Sequence, residues 1–375
     1  MKKRWSFLLS LIFFVGFLNL TIASAAPKPS DEVNAKVATF NIQAGSGADG
    51  KYDLNRIASA LSEMDADVIG LQEVDVHWGS RSDYEDTIQL LAKKLHMHYY
   101  FAPIYDFDPD TEGAPRRQFG VGILSKYPII RTENHFITRL STQDTDPIPT
   151  LAPGFLQADI DIDGAAVSFF VTHLDYRPDP AVRIMQVSDM MEIMSENTYS
   201  ILMGDMNAGP EAEELSPLLR WFQDGWDLQG EEPGYTYPSN APEKRIDYIF
   251  ASKRMQVNAS GLGLSGPSDH VPVTAELTLA PGGHSLSIAG MQMLVDLFAK
   301  RGEITDDLSA HQLWLHLSAV QHYKKQSKED KALKHMRSIQ VLLKELRKEQ
   351  TVSDEAYDVL RGDAVYLMNK WQSGI

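Results

Sequence analysis

Between residues 36 and 279, short runs of β-branched and apolar residues follow one another too closely for helices to separate them all. KVATFNI, DVIGLQEV, FGVGILS, AAVSFFVTHL, YSILMGD, RIDYIFAS and VPVTAELTL each read as a strand of about five to nine residues. Between them, DLNRIASALSEM and PAVRIMQVSDMMEIM carry apolar residues at three- and four-residue steps and read as helices. FGVGILS passes through PII into ENHFITRL with no helix between. Parallel neighbours need a long crossover, so direct succession demands antiparallel pairing. The expected class is therefore α+β, with mixed, largely antiparallel sheets covered by helices, and not a doubly wound parallel fold.

The β signal stops at APGGHS, residues 280–285, a Pro/Gly/Ser break that marks a domain boundary. We divide the chain into a strand-rich domain over 31–280 and an all-helical module over 285–375, where four helical patterns joined by short polar connections predict a small bundle. His311, His316, His322 and His335 lie in that module without a metal-ligand spacing, and no chemistry is assigned to them. At the other end, Lys2, Lys3 and Arg4 precede the apolar run WSFLLSLIFFVGFLNL, and Ala23-Ser24-Ala25 supplies small residues for cleavage. Residues 1–25 are thus expected to be a secretory signal peptide, and the mature chain to be extracellular with no transmembrane segment.

The chain has no cysteine, which excludes disulfides, thiolate zinc sites and a cysteine nucleophile. Residues 27–283 carry 19 basic against 39 acidic residues, whereas the helical module is nearly neutral with 13 against 12. Such an acidic domain disfavours sequence-independent nucleic-acid binding, which relies on Lys and Arg at phosphates. A divalent cation would offset part of the charge.

Several strands end in polar residues that a strand has no need of. Asn41 closes the first strand, and Glu73 leaves the apolar DVIGLQ run, where a carboxylate needs a cation or several donors; a hard oxygen ligand for Mg²⁺ suits it. His173, with Asp175 two residues on, ends FFVTH. Asp205 and Asn207 leave a further strand and, two apart in an extended segment, point the same way. Asp247 sits inside an apolar strand, where its natural partner is an imidazole. Asp269 and His270 stand together at the start of VPVTAEL. Neighbours at a strand start face opposite ways, so Asp247 is expected to hold His270 while Asp269 turns to the metal.

TFN, LQEVD, THLD, GDMNA, RIDYI and SDH, in this order over roughly 240 residues, resemble the endonuclease/exonuclease/phosphatase family of metal-dependent phosphoesterases with the DNase I-like fold. The resemblance implies a four-layer α/β/β/α sandwich of two mixed sheets with the site at one rim. It implies Asn41, Glu73 and Asp269 at a Mg²⁺ or Mn²⁺ ion, and Asp205 orienting or deprotonating the attacking water. Asn207 and His173 become donors to the phosphate, and Asp247 the support of His270. Where DNA-repair members place a second acidic residue after the first-strand Asn, this chain has Gln43. The tail, with GDAVYLMNKW near its end, is similar to FIMAH-type helical modules appended to secreted hydrolases of Gram-positive bacteria, where such a module would dock to the cell wall or a protein partner.

The expected activity is hydrolysis of a phosphate ester, foremost a phosphodiester, by in-line attack of water, with Asp205 or His270 as base. A secreted nuclease is the first alternative; Arg116 and Arg117 could then reach a substrate phosphate or be solvated. A sphingomyelinase-like lipase is the second, but STQDTDPIPTLAPG, the segment that best reads as a long loop, has no aromatic residue for membrane insertion. A non-catalytic cell-surface binding protein is the alternative from another class.

Overall fold

The computed structural model describes residues 33–195, 199–231, 233–279 and 287–373; the expected signal peptide lies outside them. Twelve strands are described: β1 Val33–Asn41, β2 Val68–Val76, β3 His98–Phe107, β4 Arg117–Ser125, β5 Ile129–Arg139, β6 Thr150–Ile162, β7 Ala165–His173, β8 Ser200–Asp205, β9 Phe222–Asp224, β10 Asp247–Ser252, β11 Gln256–Leu262 and β12 Val273–Leu279. They form two six-stranded sheets, in the orders β11-β12-β1-β2-β4-β3 and β5-β6-β7-β8-β10-β9. α1 Leu54–Met64 and α2 Thr87–Leu95 cover the first sheet, and α3 Ala181–Met194 covers the second. A short α4, Gly225–Gln229, follows β9.

Both faces of each sheet are apolar at the centre because each packs twice. Val37, Val121, Phe169 and Met203 meet between the sheets, whereas Phe40 and Leu71 cluster with Ile57 of α1 and Ile88 of α2, and Phe170 and Leu202 with Met190 of α3. This is the expected four-layer sandwich. Asp53 caps α1 by accepting the N–H groups of Asn55 and Arg56, and left-handed Asp65 ends it.

One feature of the topology builds the site. The central pair of each sheet, β1/β2 and β7/β8, is parallel, and every other described pairing is antiparallel. Parallel neighbours bring their C-terminal ends to one edge, which carries Asn41 and Glu73 in one sheet and His173 and Asp205 in the other. β10 and β12 run the opposite way beside them, so their N-terminal ends arrive at the same edge with Asp247 and the Ser268–His270 turn.

The structure adds β3, β6, β9, β11, α2 and α4 to the elements expected from sequence, and joins Ile129-Ile130 to ENHFITR in the single strand β5. The expected loop over 141–154 is shorter than its composition suggests, because β6 begins at Thr150.

α5 Ile288–Lys300, α6 Asp307–Lys325, α7 Glu329–Lys348 and α8 Asp354–Ser373 form the expected bundle around Phe298, Leu313, Met336 and Leu360. The module rests on the turn after β10. Arg254 and Asp363 form a bidentate pair there, both nearly fully buried, with Nη1 donating to Oδ2 at 2.7 Å. Arg301 donates to the carbonyls of Lys253 at 3.0 Å and Met255 at 3.3 Å. Removing one member of a buried pair strands the other charge at a cost of about 3–5 kcal/mol, whereas replacing both by apolar groups is far milder. Arg254→Leu should therefore lower the unfolding temperature in thermal denaturation more than Arg254→Leu combined with Asp363→Leu; equal losses would mean the pair contributes nothing to docking.

Candidate active site

Asn41 is fully buried and bridges the two sheets. Its Nδ2 donates to Glu73 Oε1 at 3.2 Å and to Asp205 Oδ2 at 3.1 Å, while its Oδ1 accepts the N–H of Gln43. The amide nitrogen, rather than the oxygen expected of a metal ligand, thus faces the carboxylates. Glu73 reaches it through a bulge: the pairing of β2 with β4 shifts between Leu71 and Val74, and Glu73 takes φ 54°. A left-handed non-glycine residue costs on the order of 1–3 kcal/mol, and here that strain turns Glu73 out of the strand alternation toward Asn41. Gln72, which would otherwise compete for the position, is buried against Thr39.

Asp205 sits between two imidazoles. His173, its partner in the parallel register, brings Nε2 to 3.5 Å of Oδ2, and His270 brings Nε2 to 3.7 Å. The other oxygen, Oδ1, accepts the backbone N–H of Asn207 at 2.9 Å. β8 stops at Asp205, and Asn207 is left-handed at φ 49°. The extended geometry expected for this pair is therefore absent: Asn207 binds Asp205 through its backbone, and its side-chain Nδ2 donates to the Leu174 carbonyl at 3.0 Å.

Asp247, opposite Asp205 in the β8/β10 register, holds His270 Nδ1 at 2.8 Å through Oδ2. The partner proposed from sequence is thus the one in contact. Asp269 lies on the other side of the turn, where its Oδ1 accepts from Ser268 Oγ at 3.2 Å and its backbone carbonyl from Ser239 N–H. Burial raises its carboxyl pKa, and the nearby Glu73 carboxylate adds to the rise.

Three supporting residues escaped the sequence reading. Ser268 Oγ donates to the Asn41 carbonyl at 2.8 Å, tying the turn to β1; its place in SDH was a usable signal. The Tyr237 ring packs on His270 with centroids 4.8 Å apart, and nothing local in the sequence marks it. Buried Arg139 donates to the His173 carbonyl at 3.2 Å, and a charged residue closing an apolar strand could have flagged it. Arg116 and Arg117 instead pair with Asp106, Asp108 and Asp110 of their own hairpin, through exposed contacts.

Four carboxylates therefore converge on two imidazoles and one amide. The Asp205 carboxyl is raised by burial and then by Asp247, and Asp247 Oδ1 is buried with no hydrogen-bond partner among the described residues. Asp205, Asp247 and His270 place ligand atoms within 4.8 Å of one another. An oxygen-rich, negatively charged pocket of this kind fits a hard divalent cation.

Burial alone would strip the proton from His270, but Asp247, Asp205 and Asp269 outweigh it and push the imidazole pKa up to about 10. A group that holds its proton more tightly when folded stabilises the fold fully below its unfolded pKa, near 6.5 for His, and that stabilisation is lost as pH rises through the folded value. The raised carboxyl of Asp205 acts in the same direction. Chelator-treated protein should accordingly lose several degrees of unfolding temperature between pH 6.5 and 10, and His270→Asn should flatten the profile; a flat wild-type curve would refute the charged imidazole.

The endonuclease/exonuclease/phosphatase family model matches residues 38–270, and a FIMAH domain model matches 288–369. The chain belongs to the endonuclease/exonuclease/phosphatase family. Among solved structures of this family, one from Beutenbergia cavernae DSM 12333 is 24% identical, covers 66% of this chain and 72% of its own, and superposes with a TM-score of 0.56. One from Bacteroides thetaiotaomicron is 19% identical over 68% of this chain and 99% of its own, with a TM-score of 0.54. Both share the family's DNase I-like fold. Protein cwh43 of Schizosaccharomyces pombe is 28% identical over 143 residues, 38% of this chain but 13% of the yeast protein, so this family member parallels a small part of that larger molecule.

Proposed function

We propose that the chain is a secreted, divalent-metal-dependent phosphoesterase that hydrolyses a phosphodiester by in-line attack of water. The observation that carries the reading is the setting of Asp205: one oxygen held by the Asn207 N–H, the other facing Asn41, His173 and His270, with Asp247 behind His270. A carboxylate whose pKa is raised by burial is a better base than an exposed one. Asp205 thus takes the proton of the attacking water. His270, charged by its three carboxylate neighbours, donates from Nε2 to a phosphoryl oxygen, and His173 donates beside it. Asn207 fixes Asp205 through its backbone and keeps one side-chain N–H for the phosphate. His270 carries a proton, and Asp205 and Asp247 face it, so that cluster serves as base and donor; we assign Glu73 and Asp269, with Asn41 at their side, to hold Mg²⁺ or Mn²⁺. When bound, such an ion supplies charge neutralisation at the phosphoryl oxygens and at the leaving oxygen.

Among substrates, a small-molecule or lipid-headgroup phosphodiester fits best. The acidic balance and the self-paired Arg116 and Arg117 weigh against DNA or RNA. Ile148 on the β5–β6 connection and Leu151 at the start of β6 are exposed, but the connection offers no aromatic residue to a sphingomyelin bilayer. Secretion rests on the N-terminal sequence; no helix among the described residues is long and apolar enough to cross a membrane. The helical module would serve as a docking unit for the cell wall or a partner.

Purified protein should release p-nitrophenol from bis-p-nitrophenyl phosphate with Mg²⁺ or Mn²⁺ and stop when EDTA is added. No release with any divalent ion would favour a non-catalytic binding protein. A panel of sphingomyelin, phosphoinositides, DNA and RNA then ranks the substrates.

A further inference from the structure

Where the helical module meets the catalytic domain, the two enclose an open cleft of about 760 Å³. One wall is a single face of α8, on which Glu355, Val359, Gly362 and Tyr366 recur at four-, three- and four-residue steps. The opposite wall is Arg220 and Trp221, ahead of β9, and the turn after β10. The buried Arg254–Asp363 pair and the contact of Lys253 with Glu355 at 3.6 Å fix the separation of the walls. β10, six residues or about 20 Å long, runs from Asp247 at the catalytic edge to Ser252 at the cleft. The two sites therefore lie at opposite ends of one strand.

The lining defines the ligand. Trp221 and Tyr366 are 45% and 46% exposed, and among the described residues neither is in a ring–ring contact. Around them stand three cations, Arg220, Lys253 and Arg254, and three anions, Glu355, Asp358 and Asp363; Arg254 pairs with Asp363 and Lys253 with Glu355, which leaves Arg220 and Asp358 as the lining charges outside those pairs. A phosphorylated or otherwise anionic ligand gains nothing net from a balanced lining, and an acyl chain would desolvate charges it cannot pair. A neutral polyhydroxylated ligand satisfies both walls, since its C–H faces stack on the rings while its hydroxyls donate to carboxylates and accept from guanidinium and ammonium groups. We propose that this cleft is a glycan-binding site, separate from the phosphoesterase site and formed only when the module is docked. Gly362 keeps it open: a Cβ there would meet no atom within 4 Å, so a large side chain would enter the space.

Full-length protein titrated calorimetrically with chitotetraose, cellotetraose and maltotetraose should bind at least one of them. Trp221→Ala, Tyr366→Ala and Gly362→Trp should each weaken that binding at least tenfold while turnover of bis-p-nitrophenyl phosphate stays at the wild-type rate. His270→Asn should leave glycan binding intact, so failure of the catalytic reading and of this one are distinguishable. The proposal is overturned if none of the three tetrasaccharides binds, or if binding survives all three cleft variants. It is equally overturned if inorganic phosphate or phosphatidylglycerol vesicles bind in their place and are lost with the same substitutions.

Discussion

His270→Asn should cut turnover of a phosphodiester by a factor of a hundred to a thousand, about 3–4 kcal/mol of transition-state stabilisation, the range for losing one preorganised donor to a developing oxyanion. The substitution removes the Nε2 donor beside Asp205 and the positive charge that faces Asp247. Asp247 would then be a nearly fully buried carboxylate with neither oxygen neutralised, so the variant should also unfold earlier by about 3–5 kcal/mol. The two losses separate with a second change. Adding Asp247→Asn removes the stranded charge and should restore most of the stability, while turnover stays at the level of the single variant. Residues acting as a unit are not additive, so Asp247→Asn in the wild-type background should be slow, and in the His270→Asn background should slow nothing further. Multiplicative rate losses in the double variant would show that Asp247 does not act through His270.

Glu73→Gln is expected to reduce turnover at saturating Mg²⁺ by at least a hundredfold and to weaken the apparent affinity for the ion, read as the metal concentration giving half-maximal rate. Stability should barely change. Glu73 is only half-buried, its partner Asn41 can donate equally well to a glutamine oxygen, and removing its charge relieves the repulsion on Asp269. The left-handed backbone of residue 73 is the same for both side chains, so the strain is unaltered. This contrasts with His270, where loss of activity and loss of stability go together. An unchanged metal requirement in Glu73→Gln would remove the residue from the cation site.

The strand-end residues were legible because each breaks a local rule. A carboxylate after DVIGLQ and another inside an apolar strand are costly unless something distant neutralises them, so Glu73 and Asp247 announce partners without naming them. The pairing of Asp247 with His270 followed from strand alternation, and the structure has that contact at 2.8 Å. Asn207 was misplaced geometrically for the same kind of reason. The alternation was carried two residues past Asp205, where the strand has ended and the chain turns left-handed. β3, β9 and β11 stayed hidden because an edge strand or a short one needs little apolar patterning, its stability coming from the ladder beside it, and the interior strand β6 because the Pro and Gly at its start read as loop. Tyr237 and Arg139 could not be placed because each acts through a neighbour remote in the chain.

The sequence by itself determined the class of fold, the helical character of the tail and which polar side chains lack a local explanation. These follow from periodicity and from the cost of desolvating charge, both of which act over a few residues. Only the tertiary structure decided that Asn41 joins the sheets through its nitrogen, that Asp205 lies between two imidazoles, that Arg116 and Arg117 are already paired, and that a cleft opens beside α8. Such outcomes depend on which strands run parallel at the centre of each sheet and on how two sheets meet, and no short-range pattern encodes the distance between chain segments that far apart.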